Sequence, residues 1–302
     1  MATPPLLTAS LTVDYPGKPG VLRDVRFEIR AGETLALIGQ SGSGKSTLAL
    51  ALLRLLDWTH GRVCGSIQFG GRELLTLSEK EMRRLRGREM ALVLQSASQA
   101  LNPMLRLETQ FREAWLAHAT TPWTQGLHKV NGLLEEVDLP VGNGFLRRYP
   151  REISIGQAQR VLIAMSLLHD PKLLLADEPT SALDVITQRD VLALLRRMTA
   201  ERGMATLFIS HDLLSVAAFA ERVAILDHGA IVEEAPTREI FLRPQHAYTR
   251  QLIGALPANP FRSAETPMMI LNRTGSGGLA ALETAVSDAA VQMEPVAEAS
   301  GP

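Results

Sequence analysis

The sequence predicts an α/β fold with a mainly parallel central sheet, a small antiparallel β subdomain at its N-terminal end and a helical insert. Three observations support this prediction. Short apolar runs, such as residues 35–38 and 173–176, suit strands that are buried on both faces of a parallel sheet. Each run is followed by a segment with helical periodicity, which is the order of strand–helix crossovers. Residues 11–15 and 25–29 instead alternate polar and apolar side chains, as antiparallel strands with one solvated face do.

In chain order, the same patterns predict a core of alternating strands and helices with one helical insertion. The predicted core elements are a strand at 34–39, a helix at 45–56, strands at 90–94 and 173–177, a helix at 185–200, a strand at 205–210 and a helix at 213–219. The pattern is helical between about residues 105 and 139, and we place the insert at about 96–155. We expect one domain over 6–257. Residues 258–302, with TGSGG and a weak mixture of Ala, Glu and Ser, are expected to form a flexible extension.

Composition excludes several classes of site. The 302 residues contain 31 Lys and Arg against 32 Asp and Glu, so no global positive field favours nucleic acid, and we expect no nucleic-acid partner. Cys64 is the one cysteine, which excludes an internal disulfide and a cysteine cluster for zinc or iron–sulfur. The N-terminus lacks the pattern of a signal peptide, and no apolar run reaches the roughly 20 residues needed to span a bilayer. If the protein works at a membrane, other subunits are expected to span it.

The segment GQSGSGKS, residues 39–46, is the strongest motif. It fits G-x-x-x-x-G-K-[ST] and lies between an apolar strand and an apolar helix, where its backbone N–H groups can surround phosphate oxygens. Lys45 is expected to reach the β- and γ-phosphates, and Ser46 to ligate Mg²⁺. The residues predicted to bind nucleotide here are Gly39, Ser41, Gly42, Ser43, Gly44, Lys45, Ser46 and Thr47.

A second apolar strand ends in two adjacent acids, within KLLLADE at residues 172–178. Carboxylates at the carboxyl end of a strand lie beside a phosphate loop in an open α/β sheet. We therefore predict that Asp177 holds Mg²⁺ through water and that Glu178 polarises the attacking water. Seen alone, such a pair is an ordinary acidic turn, but its combination with the phosphate loop favours catalysis.

Residues 8 to about 257 resemble the ABC-transporter ATPase family through the order of these motifs. The phosphate loop is followed by Gln95, by ISIGQAQR at 153–160, by LLLADEPTSALD at 173–184 and by FISHD at 208–212. The resemblance implies a RecA-like P-loop NTPase core that hydrolyses ATP with Mg²⁺. It implies that Gln95 contacts Mg²⁺ or the attacking water, that His211 contacts the γ-phosphate, and that Asp184 lies in a loop that communicates across an ATPase dimer.

The signature segment departs from the family's usual Leu-Ser-Gly-Gly-Gln. By resemblance, Ser154, Gly156 and Gln157 cover the γ-phosphate held by the opposite subunit, but Ile155 replaces a glycine. An isoleucine adds a branched side chain and removes easy access to positive φ. We hypothesise that this segment is the weaker half of an asymmetric dimer, the alternative being that Ile155 is tolerated at little cost. Tyr15 is expected either to stack on adenine or simply to pack in the core.

Two further segments narrow the resemblance to importers of oligopeptides, dipeptides and nickel chelates. These are QSASQALNP at 95–103 and RPQHAYTRQLIGALP at 243–257. The importer resemblance implies a peripheral subunit on the cytoplasmic face of the inner membrane. Its expected partners are two integral-membrane permeases, a second ATPase subunit and an extracytoplasmic substrate-binding protein. The alternative is a soluble ABC ATPase of DNA repair or translation, although the chain shows no coiled-coil heptads, no cysteine pair and no second cassette.

Overall fold

A computed structural model describes residues 4–256 and 259–261, so the predicted flexible extension lies almost entirely outside the described residues. The strands are β1 Leu7–Tyr15, β2 Lys18–Ile29, β3 Thr34–Ile38, β4 Arg62–Phe69, β5 Arg72–Glu73, β6 Met90–Val93, β7 Leu173–Asp177, β8 Ala205–Ser210, β9 Arg222–Asp227 and β10 Ala230–Pro236. The α-helices are α1 Lys45–Leu52, α2 Glu79–Leu85, α3 Ala97–Ala100, α4 Leu107–Leu116, α5 Trp123–Glu136, α6 Asn143–Leu146, α7 Ile155–Ser166, α8 Val185–Glu201, α9 Leu213–Phe219, α10 Thr237–Leu242 and α11 Ala247–Gly254. Short 3₁₀ turns lie at Leu56–Thr59, Leu74–Thr76 and Pro150–Glu152.

The central sheet confirms the predicted α/β fold. Its strand order is β10-β9-β3-β8-β7-β6, and all neighbours pair in parallel except the β9–β10 hairpin. Strands β9 and β10, which follow the last element predicted from the sequence, extend the sheet beyond β3. Because parallel strands end at one edge, the segments that follow β3, β6, β7 and β8 meet there.

The antiparallel subdomain is confirmed and is larger than predicted. Its strand order is β2-β1-β4-β5, with β1 paired to β2 from Leu7 opposite Ile29 and to β4 from Leu7 opposite Phe69. The first part of β4 is half-buried or exposed, so its sequence lacks the apolar alternation that revealed the other strands. β4 is held by its pairing with β1, which a local pattern does not show.

Two apolar cores cover the two faces of the central sheet. Leu35 and Leu37 of β3 belong to a core shared with the antiparallel sheet and α1. Ala36 and Ile38 belong to the other core, which contains residues of the insert, α7 and α8. Successive strand residues point to opposite faces, so one short apolar run serves both cores. This explains why the central strands read as continuous apolar segments.

The predicted helical insert consists of α3 to α6. Phe111 of α4 and Leu134 of α5 are fully buried in the core that covers the α7 and α8 face of the sheet. The buried amide of Gln110 accepts from Asn102 N at 2.9 Å and donates to the Asn102 and Leu105 carbonyls. The insert is therefore anchored to the sheet and braced by its own polar contacts. Among the described helices, none is long and apolar enough to cross a membrane.

Helix α1 ends at Leu52 and not at residue 56, as the apolar periodicity predicted. Arg54 has a φ of 52°, in the left-handed region, which a right-handed helix cannot include. Its guanidinium donates to the carbonyls of Leu74, in the neighbouring 3₁₀ turn, and of Leu77, the residue after that turn. The left-handed backbone of Arg54 therefore ends the helix, and its side chain contacts the neighbouring segment.

A partly buried charge network fixes the start of β9 against its neighbours. Arg222 donates to Glu33 Oε1 at 2.6 Å, to Glu234, and to the Glu28 carbonyl at 3.3 Å. Burial and the neighbouring carboxylates Glu33 and Glu28 raise the pKa of Glu234, and Arg222 opposes that rise. One guanidinium thus offsets the negative charge of Glu33 and Glu234, two partly buried carboxylates.

We expect Arg222→Met to lower the free energy of unfolding by about 2 kcal/mol, because it leaves two partly buried carboxylates without a cation. Urea unfolding at pH 7 measures the change. Arg26→Met is the matched control, since the Arg26–Asp24 pair is exposed on both sides and should contribute at most about 0.5 kcal/mol. Equal losses in the two variants would contradict the network's role.

Candidate nucleotide site

The predicted phosphate loop lies between the end of β3 and the start of α1. Gly44 precedes the helix with a φ of 107°, and a Cβ there would lie 2.6 Å from a methyl carbon of Leu22. A Cβ on Gly39 would lie 2.3 Å from the Leu226 carbonyl oxygen. Both positions therefore require glycine, which keeps the loop backbone close to the sheet edge and leaves the N-terminus of α1 open to an anion.

Lys45 is a buried cation folded across this loop. Its Nζ donates to the carbonyls of Gly39 at 2.8 Å and Gln40 at 3.0 Å, and lies 3.9 Å from Glu178 Oε1. Burial lowers the pKa of Lys45, while the charges of Glu178 and Asp177 oppose the change. An ammonium stripped of water and held by weak carbonyl dipoles is well placed to exchange those carbonyls for phosphate oxygens.

The three residues predicted to act in catalysis meet at one carboxylate. Glu178 Oε2 accepts from Gln95 Nε2 at 3.2 Å and lies 3.1 Å from His211 Nδ1. Gln95 follows β6, Glu178 follows β7 and His211 follows β8, so the parallel register brings them together. The His211 side chain is 61% exposed, which leaves it accessible to a bound nucleotide.

Glu178 adopts an unusual backbone conformation. Its φ is 47°, in the left-handed region that non-glycine residues rarely occupy, and its N–H donates to the Ile209 carbonyl at 2.9 Å. Such strain costs roughly 1–3 kcal/mol and persists where the surroundings hold it in place. The conformation turns the side chain from the strand end toward Lys45, Gln95 and His211.

Asp177 carries an unsatisfied oxygen next to the phosphate loop. The side chain is buried, and its Oδ1 has no hydrogen-bond partner among the described residues. Burial raises the pKa of Asp177, a hydrogen bond from Ser46 opposes the rise, and the charge of Glu178 adds to it. Mg²⁺ binds oxygen ligands of this kind, and here a buried carboxylate oxygen without a hydrogen-bond partner lies beside a serine hydroxyl.

The signature segment forms the start of helix α7. Ser154 is the N-cap, with its Oγ accepting from Gln157 N at 3.2 Å and the Gln157 side chain accepting from Ser154 N at 3.1 Å. Neither Ile155 nor Gly156 has a positive φ, so the expected backbone conflict at Ile155 does not arise. The Ile155 side chain is 58% exposed. The replacement therefore adds an exposed, branched side chain without backbone strain.

A groove of about 480 Å³ joins the signature segment to the loop before α8. Ser154, Gly156, Gln157 and Asp184 line it together, and a Cβ on Gly156 would lie 2.7 Å from the Thr187 side chain. Asp184 is the N-cap of α8, since its carboxylate accepts from Thr187 N at 3.1 Å and Thr187 Oγ1 at 2.7 Å. None of the described residues that line the groove belongs to the phosphate loop.

Tyr15 lies at the end of β1, where it pairs with Lys18 across the turn to β2. Its ring is half-buried and lies against Gly61, because a Cβ on Gly61 would be 3.1 Å from the ring. The ring packs against the core on one side and keeps an accessible portion. Packing against the core is thus observed for Tyr15, and adenine stacking stays a prediction.

Gln188, which no sequence motif marks, connects two elements of the site. Its Nε2 donates to Asp212 Oδ2 at 3.0 Å and to Ser215 Oγ at 3.1 Å. Asp212 is the N-cap of α9 and follows His211 directly. Asp184 and Gln188 are four residues apart, a helical spacing that places them on one side of α8, and this spacing is visible in the sequence. The hydrogen bond from Gln188 to Asp212 becomes visible only in the folded structure.

Comparison with known proteins agrees with this geometry. A family profile described as ABC transporter matches residues 22–181. A putative peptide import ATP-binding protein of Brucella abortus is 41% identical, over 85% of this chain and 79% of its own length. The oligopeptide transport ATP-binding protein OppD of Salmonella typhimurium is 39% identical, over 82% of this chain and 74% of its own length.

Solved structures give the same result for the fold. A dimeric ATP-binding cassette in a post-hydrolysis state with ADP and Pi superposes with a TM-score of 0.65 at 25% identity, covering 76% of this chain and 98% of its own. A subunit of an ABC transporter complex from Clostridium perfringens has a TM-score of 0.67 at 24% identity, covering 84% and 96% of the two chains.

Substitution of Asp184 tests its role as the N-cap of α8. Asp184→Ala removes the acceptor for Thr187, and we expect the melting temperature to fall by roughly 2–4 °C. Asp184→Asn keeps a capping oxygen and should melt within about 1 °C of wild type. Thermal unfolding followed by circular dichroism measures both. If the two variants melt alike, Asp184 does not stabilise α8 as a cap.

Proposed function

This chain belongs to the ABC transporter family of ATPases, and from that membership we propose that it powers an importer of short peptides or a related small solute, such as a nickel chelate. As a family member it binds and hydrolyses ATP. The observation that carries the proposal is the meeting of Lys45, Gln95 and His211 at the Glu178 carboxylate beside a phosphate loop. Identity of about 40% to import subunits supports the importer assignment.

Glu178 is the proposed general base. Its carboxylate is only 17% exposed and accepts from Gln95, so it can bind a water in a defined orientation and take its proton as the water attacks the γ-phosphate. Gln95 positions that water, and His211 contacts the γ-phosphate. Lys45 leaves the Gly39 and Gln40 carbonyls to neutralise charge on the β- and γ-phosphates.

The residues beside the phosphate loop fit a bound Mg²⁺. Ser46 and Asp177 would hold it, with Gln95 as a further ligand, and the orphaned Asp177 Oδ1 supports this assignment. When bound, Mg²⁺ would offset negative charge on the phosphates. Gly39, Ser41, Gly42, Ser43, Gly44 and Thr47 complete the proposed phosphate site, and Tyr15 is the proposed adenine contact.

The proposed partners are two membrane permeases, a second ATPase subunit and an extracytoplasmic substrate-binding protein, with this chain on the cytoplasmic face of the inner membrane. Met104 in the insert is 77% exposed and Leu94 next to Gln95 is 40% exposed, which supports a permease contact at this end of the insert. A soluble ATPase of DNA repair or translation is the alternative. The import functions named for the relatives favour transport.

The separation of the signature groove from the phosphate loop supports a head-to-tail dimer in which Ser154, Gly156, Gln157 and Asp184 act on the opposite subunit's nucleotide. Ile155 borders that groove with an exposed branched side chain. We propose that its bulk weakens this half of an asymmetric pair. The chain's own site, with Lys45 and Glu178, can still work with a partner's signature segment.

Replacement of Ile155 tests the asymmetric dimer. We expect Ile155→Ala and Ile155→Gly to raise ATP turnover of the assembled complex severalfold, because both remove the side-chain bulk. Alanine adds no helix penalty, whereas glycine costs about 1 kcal/mol of helix propensity. Steady-state ATPase assays on the reconstituted complex measure the effect. Unchanged turnover in the Ala variant would show that Ile155 is tolerated.

The proposed function is tested with Glu178→Gln, which removes the base and keeps the side-chain shape. We expect ATP hydrolysis to fall by roughly 10²–10⁴-fold with ATP binding retained. The tagged variant, purified with ATP from gently solubilised native membranes, should recover two multispanning permeases. Glu135→Gln, the same change on the exposed face of α5, is the control and should hydrolyse ATP normally.

Recovery of a second ATPase with the permeases would support the asymmetric pair. A trapped chain that purifies without membrane subunits and with ribosomes or DNA would overturn the importer proposal. Normal hydrolysis in Glu178→Gln would overturn the assignment of the base.

A further inference from the structure

The C-terminal segment 243–257, which stood out in the sequence, has no part in the mechanism above. In the structure its described part packs beside β10 through one carboxylate, since Glu233 accepts from Gln245 N at 2.8 Å and from His246 N at 2.9 Å. The His246 ring then accepts from Tyr248 N at 3.3 Å and caps helix α11. These contacts fix the position of α11 and the orientation of its first turn relative to β10.

Tyr248, in the first turn of α11, contacts the phosphate loop. The backbone N–H of Gln40, the second residue of GQSGSGKS, donates to the Tyr248 hydroxyl at 3.1 Å across 208 positions of sequence. Burial raises the pKa of Tyr248 and the charge of Asp227 adds to the rise, although the Gln40 N–H opposes it. The hydroxyl is therefore neutral at physiological pH, and it accepts the N–H as an ordinary hydrogen bond.

The peptide groups around Gln40 are held from two sides. Lys45 Nζ donates to the Gly39 and Gln40 carbonyls, while Tyr248 accepts from the Gln40 N–H. When Lys45 turns to the phosphates, the carbonyl contacts are lost. The Tyr248 contact does not involve Lys45, so it can persist through that change and keep the start of the loop in its binding conformation.

We propose that Tyr248 is a positioning residue for nucleotide binding, with its hydroxyl fixing the first turn of the phosphate loop. This inference rests on the proposed role of that loop. A loop that is already ordered loses less conformational entropy when phosphate binds, so the contact should strengthen ATP binding and leave the hydrolytic step unchanged. Through it, helix α11 becomes part of the nucleotide site.

The test compares Tyr248→Phe with Tyr248→Ala in the full chain. Phe keeps the ring and its packing but removes the acceptor, and one hydrogen bond corresponds to a roughly twofold to tenfold weaker ATP affinity. We expect the Kd and KM for ATP of Tyr248→Phe to rise by that factor, with kcat and melting temperature near wild type. Tyr149→Phe is the matched control, since its hydroxyl faces Arg106 far along the chain from the loop, and its ATP affinity should not change.

Each other outcome has a distinct meaning. If Tyr248→Phe binds ATP like wild type and only Tyr248→Ala is weakened, the ring acts by packing and the positioning role is wrong. If kcat falls with KM unchanged, the contact acts on hydrolysis and the inference is overturned. A wild-type chain that binds no ATP would instead overturn the function proposed for the loop itself.

Discussion

The parallel pairing of β3, β8, β7 and β6 is the constraint on which the site depends. Parallel strands present all their carboxyl ends at one edge, and here the phosphate loop, Glu178, Gln95 and His211 each follow one of these strands. The pairing is held by two apolar cores on opposite faces of the sheet. A shift of one strand by one residue would exchange those faces and move the side chain that follows the strand away from the others, so core packing and site geometry are specified together.

Several unfavourable features are concentrated at that edge. Lys45 and Asp177 are charged groups whose pKa values are displaced by burial, and Glu178 has a left-handed backbone. Away from that edge, the buried Gln110 amide and the Arg222 guanidinium are both paired by hydrogen bonds. Left-handed backbone also occurs elsewhere, as at Arg54. A desolvated lysine and a buried carboxylate oxygen without a partner, however, lie together beside the phosphate loop, as a site prepared for a charged ligand requires.

The chain carries two separate polar surfaces with different construction. One is the phosphate loop with the acids and His211, built from strand ends. The other is the groove between the starts of α7 and α8, where Ser154 and Asp184 act first as helix caps. Each cap satisfies an N–H group of its own helix, so the residues that start α7 and α8 also shape the groove between them. Helix α11 connects the C-terminal segment to the first of these surfaces.

The sequence by itself determined the α/β class, the phosphate loop and the paired acids. These follow from contacts within a few residues or from the alternation of buried side chains, both of which are local. Tertiary structure alone decided that helix α1 ends at Leu52, that Ile155 is helical, and that β4, β9 and β10 join their sheets. It also decided that Gln188 contacts Asp212 and that Tyr248 contacts Gln40. These contacts join residues that are far apart in the chain. They are brought together by the order of the strands and the placement of the helices, and neither of these leaves a periodic pattern in the sequence.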